Sequence, residues 1–232
     1  MISVCMATYN GEKYVRQQVD SILCQLSAED ELIVSDDGSK DDTLAILKSF
    51  SDPRVHIFIN EGKHGFVGNF CNALSRAKGD YIFLSDQDDY WLPGKVETVM
   101  GYLTNGIDLV THNADLVDGE GQSLGSDYFS HLHHMEGFWA NLWKTRFLGC
   151  CMCFNRKVLY NCMPMPKHIV AHDYWIGMYA LKHNKVKFID DKLMCYRRHG
   201  GNVSPSSEKS RESWWYRIVK KRGYLLWTIL FR

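Results

Sequence analysis

The sequence predicts an α/β fold in which a mainly parallel sheet is covered by helices on both faces. Three observations carry this. Short strand-like apolar runs recur through the first half of the 232-residue chain. Helical patterns of apolar residues separate them. Each of the first four runs opens into a polar loop, and a parallel sheet gathers its ligand-binding loops at these C-terminal strand ends.

The elements follow in order. Residues 2–6 form the first strand, and Val15, Val19, Ile22, Leu23 and Leu26 then recur at helical spacing. Asn10 is the expected cap of that helix. Residues 31–35 are the second strand. Ser39-Lys40-Asp41-Asp42 opens a second helix, with acid in its first turn and Leu44, Leu47 and Phe50 on one side. Residues 55–59 are the third strand. A third helix carries Val67, Phe70, Cys71 and Leu74, with Gly79 as its C-terminal stop. Residues 81–85 are the fourth strand, and Pro93 opens a fourth helix bearing Val96, Val99, Met100 and Leu103. Residues 108–112 are the fifth strand. The pattern then loosens. Residues 113–145 are mixed, with a loop around Gly119, Gly121 and Gly125, and 146–154 read as an apolar strand. A helix is expected over 172–183 and strands at 186–189 and 193–197. Residues 200–210 read as a linker.

Apolar residues make up 45% of the chain, enough for a real core. Lysines plus arginines equal aspartates plus glutamates at 27 each, which disfavours a generally basic nucleic-acid binder. The eight cysteines sit mostly in apolar runs, and their irregular spacing supports neither a disulfide framework nor a zinc site. The expected setting is reducing and cytoplasmic. The first residues lack the charge and apolar stretch of a signal peptide, and no run approaches the roughly 18 apolar residues of a membrane span.

The fourth strand runs into Ser85-Asp86-Gln87-Asp88-Asp89-Tyr90-Trp91. Three carboxylates packed at a strand end repel one another and resist desolvation unless a cation sits among them. A divalent ion that prefers oxygen ligands, Mg²⁺ or Mn²⁺, answers that need, and its place at a strand end suggests a phosphate-bearing ligand. An acidic turn is the plainer alternative. Strand one runs into Ala7-Thr8-Tyr9-Asn10, strand two into Asp36-Asp37-Gly38-Ser39, and strand three into Asn60-Glu61-Gly62-Lys63-His64-Gly65. Each alone reads as a turn or cap, but together they outline a site. The absence of G-x-G-x-x-G and G-x-x-x-x-G-K-[ST] disfavours a dinucleotide oxidoreductase and a P-loop NTPase.

With Gly79-Asp80-Tyr81-Ile82 added, these motifs resemble glycosyltransferase family 2, in a form similar to bacterial rhamnosyltransferase-like members that build surface polysaccharide. The resemblance covers roughly residues 1–200. It implies an inverting, nucleotide-sugar-dependent enzyme of GT-A fold, with a Rossmann-like nucleotide-binding half at 1–112 and an acceptor-binding half at 113–200. Residues 201–232 would be a linker and a basic, aromatic helical tail. By this resemblance Asp37 accepts the N3–H of uracil or thymine, Tyr9 stacks on the base, and the backbone of Ala7 and Thr8 fixes the base edge. Asp86-Gln87-Asp88 is the D-x-D motif: Asp88 ligates the metal directly, and Asp86 faces the ribose or the metal. Asp89 orients the loop. The expected donor is dTDP-L-rhamnose, with UDP-sugars open because both bases present N3–H. The acceptor would be a saccharide or lipid-linked oligosaccharide.

An inverting transfer needs one base near the acceptor hydroxyl. The matching segment is Ala171-His172-Asp173-Tyr174-Trp175, with Asp173 as base and His172 where the family has an acidic residue; the alternative is a helix-capping Asp173. Tyr196-Arg197-Arg198-His199-Gly200-Gly201-Asn202 resembles a late motif near the diphosphate. Arg198 would meet phosphate and His199 would complete the metal shell, unless the segment is a solvated basic turn. The cluster His131, His133 and His134 is expected in an acceptor-side loop rather than at a metal, and Gly149 is expected to let the acceptor approach. Residues 214–232 mix tryptophans with lysines and arginines, the composition of a segment lying on anionic lipid. They read otherwise as a helix packed on the catalytic domain or an oligomer contact. A metal-dependent nucleotide-sugar phosphohydrolase and an inactive sugar-binding scaffold subunit are the rival functions.

Overall fold

The computed structural model describes residues 1–132, 137–200 and 222–231. Its first half alternates β1 (Ile2–Thr8), α1 (Val15–Leu23), β2 (Glu31–Asp36), α2 (Thr43–Ser49), β3 (Val55–Ile59), α3 (Phe66–Leu74), β4 (Tyr81–Asp86), β5 (Tyr90–Trp91) and α4 (Lys95–Leu103). The second half adds β6 (Leu109–Val117), β7 (Ser123–Asp127), α5 (Phe138–Trp143), β8 (Met152–Asn155), α6 (Arg156–Cys162), α7 (His172–His183), β9 (Val186–Arg197) and α8 (Gly223–Phe231).

One sheet runs in the order β3-β2-β1-β4-β8-β6-β9-β5, with β7 paired to β6. The strands β3, β2, β1 and β4 are parallel. Beyond β4 the sheet turns mixed: β8 is antiparallel to both β4 and β6, while β9 is parallel to β6. The central strands are apolar on both faces, as a sheet covered on two sides requires. Val4 and Met6 of β1 pack with Val15 and Val19 of α1, Leu47 of α2 and Val99 of α4. Cys5 faces the other core, with Phe70 and Leu74 of α3 and Trp175 and Ile176 of α7.

Local differences from the sequence reading have physical causes. Asn10 does not cap α1, whose N-cap is Tyr14. It takes a positive φ of 47° and its side-chain oxygen accepts from Lys40 N–H, stitching two loops together. Gly79 does not stop α3, which already ends at Leu74. A Cβ there would lie 2.6 Å from the Ser3 nitrogen, so Gly79 lets the chain pass close to β1. Residues 149–151 form a single 3₁₀ turn before β8. The two expected late strands are one, β9, with register shifts against β6.

The tail expectation divides. Residues 201–221 and Arg232 lie outside the described residues, and so do Trp214, Trp215, Lys220 and Lys221 with them. The helix α8 docks on the domain: Leu225 and Ile229 are buried in the second core, while Trp227 and Leu230 are exposed. Lys182 Nζ also donates to the Ile229 carbonyl. Among the described residues, no helix is long and apolar enough to cross a membrane. Truncating Ile229 to Ala is expected to destabilise the fold by about 2–5 kcal/mol, the cost of a core cavity. Denaturant unfolding measures it, and an unchanged midpoint would mean that α8 does not dock.

Candidate active site

Parallel pairing brings the strand-end loops to one edge. Ala7 of β1 pairs with Asp86 of β4, and Thr8 pairs with Asp36 of β2. Asp36 is fully buried and works inside the fold. Its carboxylate accepts from Thr8 Oγ1, from the Gly38 and Ser39 N–H groups and from Ser39 Oγ. Asp37 follows at the surface of the cleft. It accepts from Asn60 Nδ2 at 2.7 Å and Gly65 N–H at 2.7 Å, and its Oδ1 lies 2.9 Å from His64 Nδ1. Burial pushes its pKa up, but the hydrogen bonds from Gly65, His64 and Asn60 outweigh this and hold it below the usual carboxylate range. Asp37 is therefore an anionic acceptor. Tyr9, which follows β1, is 54% exposed. The Thr8 carbonyl accepts from Asp37 N–H and Asn69 Nδ2, which ties Thr8 to the Asp37 loop.

The acidic cluster closes the other side. One ligand atom from each of Asp86, Asp89 and Cys150 lies within 4.8 Å of the others. Burial, and then the Asp88 and Asp173 charges, push the Asp86 carboxyl up to about 7. Asp89 is fully buried with its Oδ2 unpartnered, and burial, then the Asp88 and Asp86 charges, raise its pKa well above the ordinary range. Its Oδ1 accepts from Arg197 N–H at 2.9 Å, the loop-orienting role expected of it. Asp88 Oδ2 lies 2.9 Å from His199 Nε2, and the His199 ring packs against Tyr14 with centroids 4.9 Å apart. Of the residues expected around a metal, Asp86 lies in the group with Asp89 and Cys150, while Asp88 and His199 pair with each other, and in the late segment Arg197 is buried.

Asp173 lies in the first turn of α7 but does not cap it; the N-cap is Ala171. Its Oδ2 accepts from Gly149 N–H at 3.2 Å and its Oδ1 from Tyr174 N–H. His172 beside it is buried and stacked on Phe70 with centroids 3.9 Å apart. Burial lowers its pKa, so it stands as a neutral ring. A Cβ at Gly149 would lie 3.0 Å from His172 Nε2, so a side chain there would crowd that ring. Tyr128, on the same side, feels the Asp173 charge after burial, and its pKa is raised. Of the histidine cluster, His133 and His134 lie outside the described residues, as does the side chain of His131.

Some positioning residues escaped the sequence reading. The Gln87 amide forms a two-way pair with Tyr9: Tyr9 N–H donates to its Oε1, and its Nε2 donates to the Tyr9 carbonyl. The middle residue of Asp86-Gln87-Asp88 thereby locks the loop after β1 to the acidic loop. Gln18 Nε2 donates to Ser85 Oγ and the Asp86 carbonyl. A signal existed for Gln18, because it is a polar residue on the buried stripe of Val15, Val19 and Ile22. Arg197 is buried and donates to the carbonyls of Asp88 and Gly119 and to Gln17 Oε1. Arg198 N–H donates to the Val117 carbonyl, which fixes that backbone at the same sheet edge.

Known proteins agree with this architecture. The profile of the family described as glycosyl transferase family 2 matches residues 3–163. The UDP-Glc:alpha-D-GlcNAc-diphosphoundecaprenol beta-1,3-glucosyltransferase WfgD of Escherichia coli is 28% identical over 91% of this chain and 82% of its own. The dTDP-rhamnosyl transferase RfbG of Shigella flexneri is 28% identical over 91% of this chain and 81% of its own. The crystal structure of S. aureus TarS residues 1–349 with UDP-GlcNAc superposes with a TM-score of 0.76 at 20% identity. It covers 97% of this chain, which spans 66% of the TarS chain. The shared architecture is the GT-A fold.

Proposed function

The chain belongs to glycosyl transferase family 2 and is a glycosyltransferase, and from that premise we propose that it moves a sugar, with inversion, from a pyrimidine nucleoside diphosphate to a saccharide acceptor carried on a lipid. The product belongs to surface polysaccharide assembly, in line with the lipid-diphosphate acceptor in the name of WfgD. The work is done at the inner face of the membrane.

The observation that carries the reading is convergence. Asp173, distant in sequence, lies near enough to Asp86 for its charge to raise that carboxyl. The Gly149 N–H on Asp173, and the neighbouring Cys150 in the group with Asp86 and Asp89, support a base and a diphosphate-binding cluster that share one cleft. Asp173 takes the proton from the acceptor hydroxyl as that oxygen bonds to the anomeric carbon. The bond from the anomeric carbon to the diphosphate oxygen breaks on the opposite face, and the nucleoside diphosphate leaves. The Gly149 N–H and the α7 turn hold the Asp173 carboxylate in place for this step. Asp37 and Tyr9 bind the base, and Ala7 and Thr8 support its edge. Arg198 faces the diphosphate.

The acidic cluster fits a divalent cation. Its carboxylates are crowded enough to hold a proton near neutrality, and a buried Asp89 oxygen lacks a partner. Asp88, Asp86 and His199 offer the oxygen and imidazole donors that Mg²⁺ or Mn²⁺ accepts. Such an ion supplies charge neutralisation to the departing diphosphate.

The donor reading is dTDP-L-rhamnose first and a UDP-hexose second, in line with the names of RfbG and WfgD. Thermal shift with Mn²⁺ tests it. A thymidine or uridine diphosphate sugar at a hundred times its dissociation constant should stabilise the fold by about 2.7 kcal/mol. GDP-mannose should stabilise it far less at the same concentration, because guanine is a two-ring base and carries its N1–H and amino donors farther from the ribose than the pyrimidine N3–H that Asp37 is placed to accept. Equal stabilisation by GDP-mannose would overturn the base assignment.

A further inference from the structure

The chain is neutral overall but sharply polarised. Residues 1–136 hold nine lysines and arginines against 22 aspartates and glutamates. Residues 137–189, which carry α5, α6 and α7, hold eight against one, and that one is Asp173. The acid thus lies with the donor-side strands and the basic charge with the helices around the base. The same helical layer exposes large aromatic side chains. Trp139 and Trp143 of α5 are 72% and 62% exposed, and Trp227 of α8 is 61% exposed.

These features meet at a joint beside the base. Tyr174, the neighbour of Asp173, donates from its hydroxyl to the Leu142 carbonyl at the end of α5. The Arg222 guanidinium, at the start of α8, lies 5.5 Å from the Trp143 ring and interacts with Tyr174. Lys144 follows Trp143 and is exposed. α8 buries Leu225 and Ile229 against the domain, which turns Trp227 and Leu230 outward. Exposed tryptophans among cations, with no acid in either helix, match the headgroup layer of an anionic bilayer: indole rings enter the interface and the cations attract its charge.

We propose that the end of α5 and the outer face of α8 form one ledge that seats the enzyme on an anionic membrane surface, with Asp173 beside it at headgroup level. The surface is then a feature of the folded catalytic domain rather than of the tail alone. Within the proposed function, on which this inference rests, the ledge brings the base to the plane where a lipid carrier presents its saccharide. The acidic donor-side half is kept turned toward water, since anionic headgroups repel it.

Flotation of the full chain with vesicles tests this. One set is phosphatidylcholine alone and the other contains about 30 mol% phosphatidylglycerol. The wild type should float with the anionic vesicles, and flotation should weaken as salt rises. The double variant Trp139→Ser/Trp143→Ser should bind at least about tenfold more weakly, and Lys144→Glu should weaken binding to the anionic vesicles only. Both substitutions are at exposed positions away from the core, and near-ultraviolet circular dichroism checks that the fold is kept. A wild type that does not float, one that floats equally on neutral vesicles, or a double variant that floats like the wild type overturns the ledge. Transfer to a soluble acceptor is followed in the same preparations. A wild type that transfers but does not float refutes the ledge and leaves the transferase intact, whereas a wild type that floats without transfer supports the ledge and counts against the transferase reading.

Discussion

Asp173→Asn is expected to lower kcat by about 10²–10⁴-fold while donor affinity stays within about twofold. The amide keeps the shape of the carboxylate, and the Gly149 N–H can still donate to its oxygen. It cannot take a proton, and proton removal counts only in the transition state. Initial rates over a matrix of donor and acceptor concentrations, with donor binding measured separately, separate the two quantities. A variant that loses donor binding while kcat holds would put Asp173 in the donor site.

Asp88→Asn is expected to lower kcat/KM by at least about a hundredfold, and chelation of divalent ions should silence the wild type. The substitution removes one charged donor and loosens His199, which Asp88 holds at 2.9 Å. The pH dependence has a defined sign. Asp86 is pushed up to about 7 by burial and by the Asp88 and Asp173 charges, so protons compete with the cation as pH falls through that value. The Mn²⁺ concentration needed for half-maximal rate should therefore rise below about pH 7. Full activity in chelator together with a normal Asp88→Asn rate would remove the cation from the mechanism.

The donor-side architecture was legible because its strands are buried on both faces. Runs such as Val4-Cys5-Met6 and Ile82-Phe83-Leu84 are apolar without alternation, and their polar ends mark the ligand edge. Asp37, Asp86 and Asp88 stood out for that reason. The second half was less legible. The helices α5 and α6 have six and seven residues, too short for a helical period to declare itself. The choice between Arg197 and Arg198 depends on which residue β9 turns inward, and its register shifts against β6 hide that from the sequence. Arg197 proved to be the buried anchor of the Asp88-Asp89 loop. The partner of Gln87 is backbone, the amide and carbonyl of Tyr9, and a backbone partner leaves no trace in residue type. The tail was ambiguous because the same apolar residues serve a core and a membrane, and α8 divides them by face: Leu225 and Ile229 inward, Trp227 and Leu230 outward.

In the proposed mechanism Asp88 serves the donor diphosphate and Asp173 serves the acceptor. Calorimetric titration of UDP with Mn²⁺ into the wild type, Asp88→Asn and Asp173→Asn, side by side, tests it most directly. The predicted result is equal binding by the wild type and Asp173→Asn, and binding weakened at least about tenfold in Asp88→Asn. Equal binding by Asp88→Asn and the wild type, or loss of binding in Asp173→Asn alone, would contradict it.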